Sequence, residues 1–107
     1  MNNIGSVFYS KGDEPGTLNA KWCHSTKGIG TGFATGGPNE GYVGLYKITY
    51  FDNEGNLISE RGLEIKKNGE CYDVSWINNG IVTSKGIGIE VESGLVVGWF
   101  SIDVGKK

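Results

Sequence analysis

GECYDVSWINNGIVTSKGIGIEVESGLVVGWFS, residues Gly69 to Ser101, reads as three strands joined by two tight turns. Tyr72, Val74 and Trp76 alternate with Cys71, Asp73 and Ser75, which is the period-two pattern of a strand with one buried face. Asn78-Asn79-Gly80 then reverses the chain, because Asn and Gly tolerate the positive φ that a two-residue hairpin loop demands. Glu92-Ser93-Gly94 predicts a second reversal of the same kind. The final strand places Leu95, Val97 and Trp99 on one face and Val96, Phe100, Ile102 and Val104 on the other, so both of its faces are apolar. In the strand between the two turns, Ile87 and Ile89 packed inward would leave Gly86 and Gly88 outside, a flat surface that another backbone could approach.

Toward the N-terminus the same grammar recurs. A strand over 4–11 ends in Gly12-Asp13-Glu14-Pro15-Gly16, a composition that cannot continue a sheet. A second over 17–25 puts Leu18, Ala20, Trp22 and His24 on one face and Asn19, Lys21 and Cys23 on the other, so the first set should face the core. The third, over 28–36, alternates Ile29, Thr31, Phe33 and Thr35 with Gly28, Gly30, Gly32, Ala34 and Gly36, leaving one face nearly bare. After the loop at 37–41, a strand over 42–51 sets Tyr46, Ile48 and Tyr50 against Leu45, Lys47 and Thr49, and the lysine marks the second set as outward. Asp52-Asn53-Glu54-Gly55 closes a hairpin into a strand over 57–66, with Leu63 and Ile65 inward and Glu64 and Lys66 outward. No stretch carries the three-to-four-residue period of a helix.

Eight antiparallel strands in meander order predict a single all-β domain over residues 1–107, an up-and-down barrel whose closure removes exposed sheet edges. The chain also echoes itself. Leu18-x-Ala20-x-Trp22 followed by Gly28-x-Gly30 matches Tyr72-x-Val74-x-Trp76 followed by Gly86-x-Gly88, one hairpin type used twice. In strand number, meander order and inward tryptophans the chain resembles the calycin type of barrel: the avidins, lipocalins and fatty-acid-binding proteins. It has neither the Gly-Thr-Trp start of an avidin nor the N-terminal Gly-x-Trp of a lipocalin. The pattern of Tyr72 to Trp76, Gly86 to Gly88 and Leu95 to Trp99 is also similar to small uncharacterised bacterial barrel proteins, a resemblance that implies a fold and no activity.

Composition narrows the function. With a net charge of −2 and lysines scattered along the chain, there is no basic stripe of the kind nucleic acid requires. The N-terminus shows neither a basic leader nor an apolar run suited to a signal peptide, and no segment approaches membrane-spanning length. A cytoplasmic protein is therefore expected, with Cys23 and Cys71 as thiols in a reducing compartment.

The inward faces gather Trp22, Trp76 and Trp99 from three separate strands, with Tyr46, Tyr50 and Tyr72 beside them. Aromatic walls with polar tips suit a small-molecule pocket, although an eight-stranded barrel has only enough interior for its own side chains, so the rings could simply fill it. Arg61, the one arginine, shares parity with Leu63 and Ile65 and would aim a fork of donors at an anionic ligand. A bulge at Gly62 would instead turn it outward. The expected ligand site is thus Trp22, Tyr46, Arg61, Trp76 and Trp99.

Catalysis is not expected. Cys23 and His24 are adjacent on one strand and point to opposite faces, and there is no second histidine. The run Gly28 to Gly32 lacks the lysine and helix of a phosphate loop, and Asp52 to Gly55 lacks the rest of a calcium loop, so neither cofactor nor metal is expected. The outward column Val96, Phe100 and Ile102 must meet something, which predicts a homo-oligomer, most simply a dimer. The reading is a non-enzymatic binding barrel for a small aromatic or anionic molecule. Its alternative is a solid barrel acting as an inhibitor or adaptor through its outer apolar face.

Overall fold

The computed structural model describes residues 3–102. Eight strands follow one another, β1 (Ile4–Lys11), β2 (Leu18–His24), β3 (Gly28–Thr35), β4 (Gly44–Asp52), β5 (Leu57–Asn68), β6 (Cys71–Asn78), β7 (Ile81–Val91) and β8 (Gly94–Ser101). Each pairs antiparallel with the next, and β8 closes on β1 with Val97 opposite Val7, so the sheet is a closed up-and-down barrel. There is no helix among the described residues, hence none long and apolar enough to cross a membrane.

Turn chemistry explains the connections. Asn79 and Gly80 take positive φ values of 54° and 79°, the left-handed pair of a hairpin turn whose twist matches that of its strands. The Glu92-Ser93 turn differs from expectation, since neither residue nor Gly94 has positive φ. Gly94 is needed for closeness instead: a Cβ there would lie 2.7 Å from Cζ of Phe8. Irregular register falls between Tyr50 and Phe51 and between Trp76 and Ile77, not at Gly62, which pairs regularly with Lys47 and Ile77.

The faces follow period two. Val7, Tyr9, Leu18, Ala20, Ala34, Ile48, Leu63, Ile65, Val74, Leu95 and Val97 form the buried core. The bare face of β3 is the inner one. In β7 the expected sides are reversed: Ile87 and Ile89 are 56% and 55% exposed, and the glycines face in. A Cβ on Gly86 would sit 3.0 Å from Cγ1 of Val97, and one on Gly88 2.9 Å from Cγ2 of the same residue. The core side chains of β8 already occupy the space that inward isoleucines would need, so packing density decides the orientation.

Val96 and Phe100 point outward as expected, at 41% and 51% exposure. Ile102 leaves that column. Its amide donates to the carbonyl of Thr83 at 2.9 Å, and its half-buried side chain lines the mouth of the lumen. Val104, assigned to the same column, lies outside the described residues.

Candidate functional site

The two ends of the barrel are built differently. One end is plugged by Tyr42, Tyr46 and Tyr72, all nearly inaccessible. Tyr46 Oη donates to the Tyr42 carbonyl at 2.9 Å, and Tyr72 Oη donates to Glu90 Oε1 at 2.7 Å. Lys11 and Lys67 lie 5.1 and 4.6 Å from the ring centroids of Tyr42 and Tyr72. Tyr46 therefore does not join the tryptophans. It precedes Tyr50 by four residues on the same strand, which at about 3.3 Å per residue separates the two by much of the barrel's length.

The other end holds an open cavity of about 350 Å³, lined by Trp22, Tyr50, Arg61, Trp76 and Trp99 together with His24 and Lys27. Four of the five residues expected at a ligand site are thus brought together. Each tryptophan finds room because a small residue faces it across the ladder: Gly30 opposite Trp22, Ser84 opposite Trp76, and Gly5 and Gly86 on either side of Trp99. A Cβ on Gly30 would lie 2.6 Å from Cε2 of Trp22, and one on Gly5 2.6 Å from Cζ2 of Trp99. This explains the glycine after Trp22 in the first copy of the Trp-then-glycine pattern; in the second copy Gly86 lies opposite Val74 and makes room for Trp99 rather than for Trp76. The glycines let the rings lie against the barrel wall rather than across its axis.

The rings are held in fixed relation. Trp76 and Trp99 are tilted at 58° with centroids 6.2 Å apart, and Trp22 meets Tyr50 edge-on at 6.5 Å. Trp22 Nε1 donates to the Thr31 carbonyl at 2.8 Å, and Trp76 Nε1 donates to Tyr50 Oη at 2.7 Å. The Tyr50 hydroxyl also lies 2.7 Å from that of the fully buried Tyr9. Burial holds the Tyr9 phenol well above its usual pKa and pushes Tyr50 up to about 12, where the hydrogen bonds from Tyr9 and Trp76 and the charge of Arg61 pull the other way. Both are neutral donors and acceptors at physiological pH.

His24 packs its ring against Trp99 at 5.4 Å. Its Nδ1 accepts the backbone N–H groups of Thr26 and Lys27 at 3.0 and 3.2 Å, so in the neutral ring the proton resides on Nε2. Partial burial, then the charge of Lys27, lowers its pKa from the ordinary histidine value. Arg61 donates to the neighbouring Glu60 carbonyl at 2.8 Å. Among the described residues the one ion pair is Lys66 with Glu64, so no carboxylate neutralises Arg61. Nor do the described residues gather three or more His, Cys, Asp or Glu side chains around a possible metal.

Tyr9, Tyr50, His24 and Lys27 are the site residues that the sequence did not assign. Parity was sufficient for Tyr9, Tyr50 and His24, since each shares a face with an inward neighbour. Lys27 belongs to the β2–β3 turn, where alternation has no meaning. A hollow of about 620 Å³ also lies outside the wall, between the Asp52–Gly55 hairpin and the outer faces of β1, β2 and β3. Phe8, Trp22 and Lys21 line it, but a carboxylate, Asp52, stands among them, and it gathers one indole where the lumen gathers three, so it is the poorer candidate. No family model, no curated protein and no solved structure matches the chain.

Proposed function

We propose that this chain is a non-enzymatic, calycin-like binding barrel that holds a small, flat molecule in the open end of its lumen. The observation that carries the reading is the asymmetry of the interior: one end is plugged by tyrosines, while at the other three tryptophans from separate strands stand around an open cavity. Its volume lies at the lower end of the ~300–1,000 Å³ range of small-ligand pockets, which favours a molecule of one or two rings. Chemistry on the ligand is disfavoured, because Cys23 lies on the outer wall and the turn backbone occupies His24 Nδ1. Two free thiols, one of them exposed, fit a reducing compartment such as the cytoplasm.

A library of small aromatic metabolites, screened by tryptophan emission and thermal shift, tests this. Binding to the native state alone raises the melting temperature by mass action, and a ligand among the indoles should quench them. A broad library giving neither effect would remove the reading.

The outer wall supports a second property, self-association. Ile87 and Ile89 of β7, Val96 and Phe100 of β8 and Ile4 of β1 are all exposed, and the strand registers place them side by side around Gly98. A second copy presents the same largely apolar face, with Lys85 beside Phe100 as its one charge among these neighbours, and a self-complementary patch is the requirement for a two-fold dimer. If the chain is a monomer at high concentration, the same patch instead favours an adaptor or inhibitor that meets another protein.

A further inference from the structure

The direction of the hydrogen bonds below the cavity gives the ligand a sign. Tyr9 Oη is fully buried and has one partner among the described residues, Tyr50 Oη at 2.7 Å. A buried hydroxyl proton without an acceptor is costly, and Tyr50 Oη is the acceptor within reach, so Tyr9 donates to Tyr50. Trp76 Nε1–H has no acceptor role and also donates to Tyr50 Oη, at 2.7 Å. Tyr50 Oη thus accepts two hydrogen bonds. Its own proton has no acceptor among the described residues and is left for the cavity that Tyr50 lines.

The neighbouring groups have the same polarity. Arg61 uses one N–H on the Glu60 carbonyl and keeps the others. His24 accepts through Nδ1 and so offers Nε2–H, and Lys27 adds a second full positive charge to the lining. Among the described residues no carboxylate lines the cavity; the lining serines, Thr83 and the Asn3 amide can serve as either donor or acceptor. The charged groups of the wall are thus donors alone, and the acceptor sites of Tyr50 Oη and His24 Nδ1 are already occupied.

From this donor set, and resting on the binding-barrel reading above, we propose that the cavity takes a planar aromatic carboxylate. The ring lies among Trp22, Trp76 and Trp99, and the anionic group is received by the Tyr50 hydroxyl and the Arg61 guanidinium. The Tyr9–Tyr50–Trp76 chain is the positioning device. It fixes the Tyr50 proton toward the ligand before binding, so little ordering is needed on association.

Calorimetric titration of the full chain with three probes of one shape tests this: 2-naphthoate, its neutral amide and 2-naphthylmethylammonium. The carboxylate should bind at least about tenfold tighter than the amide, the scale of one charge-assisted hydrogen bond, and the ammonium weakest. Arg61→Gln, at the half-exposed mouth, should weaken the carboxylate more than the amide and so abolish most of that preference. Tyr50→Phe should do the same, and its melting curve reports whether the loss of an acceptor for Tyr9 and Trp76 has also loosened the core. Equal affinity for all three probes, or preference for the ammonium, overturns the anionic assignment and leaves the pocket reading standing. Binding of none of them overturns the aromatic-carboxylate assignment, and the pocket reading is then decided by the broad library.

Discussion

At the scale of single residues, the glycines divide by what stands over their Cα. Gly30 is roofed by the Trp22 ring and the Phe51 carbonyl, whereas nothing lies within 4 Å of a Cβ built on Gly98. Gly30→Ala should destabilise the barrel by about 1–3 kcal/mol through overpacking, and Gly98→Ala should be near neutral. Chemical denaturation of both variants checks this, and equal losses would contradict the packing account. His24 makes a pH prediction. Its native pKa is lowered, so the unfolded chain protonates at a pH where the native state still resists. This contribution is present above the unfolded value of about 6.5 and is lost as pH falls through it toward the native value. Between about pH 7 and pH 5 wild type should lose more melting temperature than His24→Asn, whose side-chain oxygen can replace Nδ1 as the acceptor of the turn. Equal losses would show that another group dominates.

At the scale of elements, the strands were legible because alternation and turn residues report on the backbone directly. Which face of a strand points inward was legible only where the two faces differ in polarity. β4 has Lys47 to mark its outer side. β7 offers isoleucines on one face and glycines on the other, and hydropathy alone sends the isoleucines inward. The reverse holds because Val97 and Trp99 from β8 already fill the space above Gly86 and Gly88, a fact about the neighbouring strand. The reversal enlarges the outer apolar patch to β7, β8 and β1. Since Ile102 lines the cavity mouth, disruption of self-association belongs to Val96→Lys with Phe100→Lys. Sedimentation equilibrium should find a dimer for wild type and a monomer with an unchanged circular dichroism spectrum for the double variant. A monomeric wild type at high concentration would contradict self-association.

At the scale of the whole molecule, the tyrosines report on the closure of the barrel. The chain has five, and all have raised pKa values. Burial is the chief cause for Tyr9, Tyr42, Tyr46 and Tyr50, and the hydrogen bond to Glu90 for Tyr72; Tyr46, Tyr50 and Tyr72 are pushed up to about 12. A group whose native pKa is raised contributes stability below its unfolded value and loses it as pH rises through the native one. Near pH 10.5, just above the unfolded tyrosine value of about 10, the native protein should show little phenolate absorbance and the denatured chain most of it. Substantial phenolate in the native protein at that pH would mean an interior open to water at both ends. The division into a plugged and an open end was not legible in the sequence, because alternation places a residue inside the barrel without giving its height along the axis. Tyr46 and Tyr50 are indistinguishable by parity, and only the staggered register of the eight strands sends one to each end.

Amide and indole NMR during titration with 2-naphthoate tests the central claim, a ligand site at the open end of the lumen, most directly. The account predicts saturable shifts at the indole N–H groups of Trp22, Trp76 and Trp99 and at the amides around Tyr50 and Arg61, with the signals of Tyr42, Tyr46 and Tyr72 unmoved. Shifts confined to the outer faces of β7, β8 and β1, or no saturable shift at any indole, would contradict it.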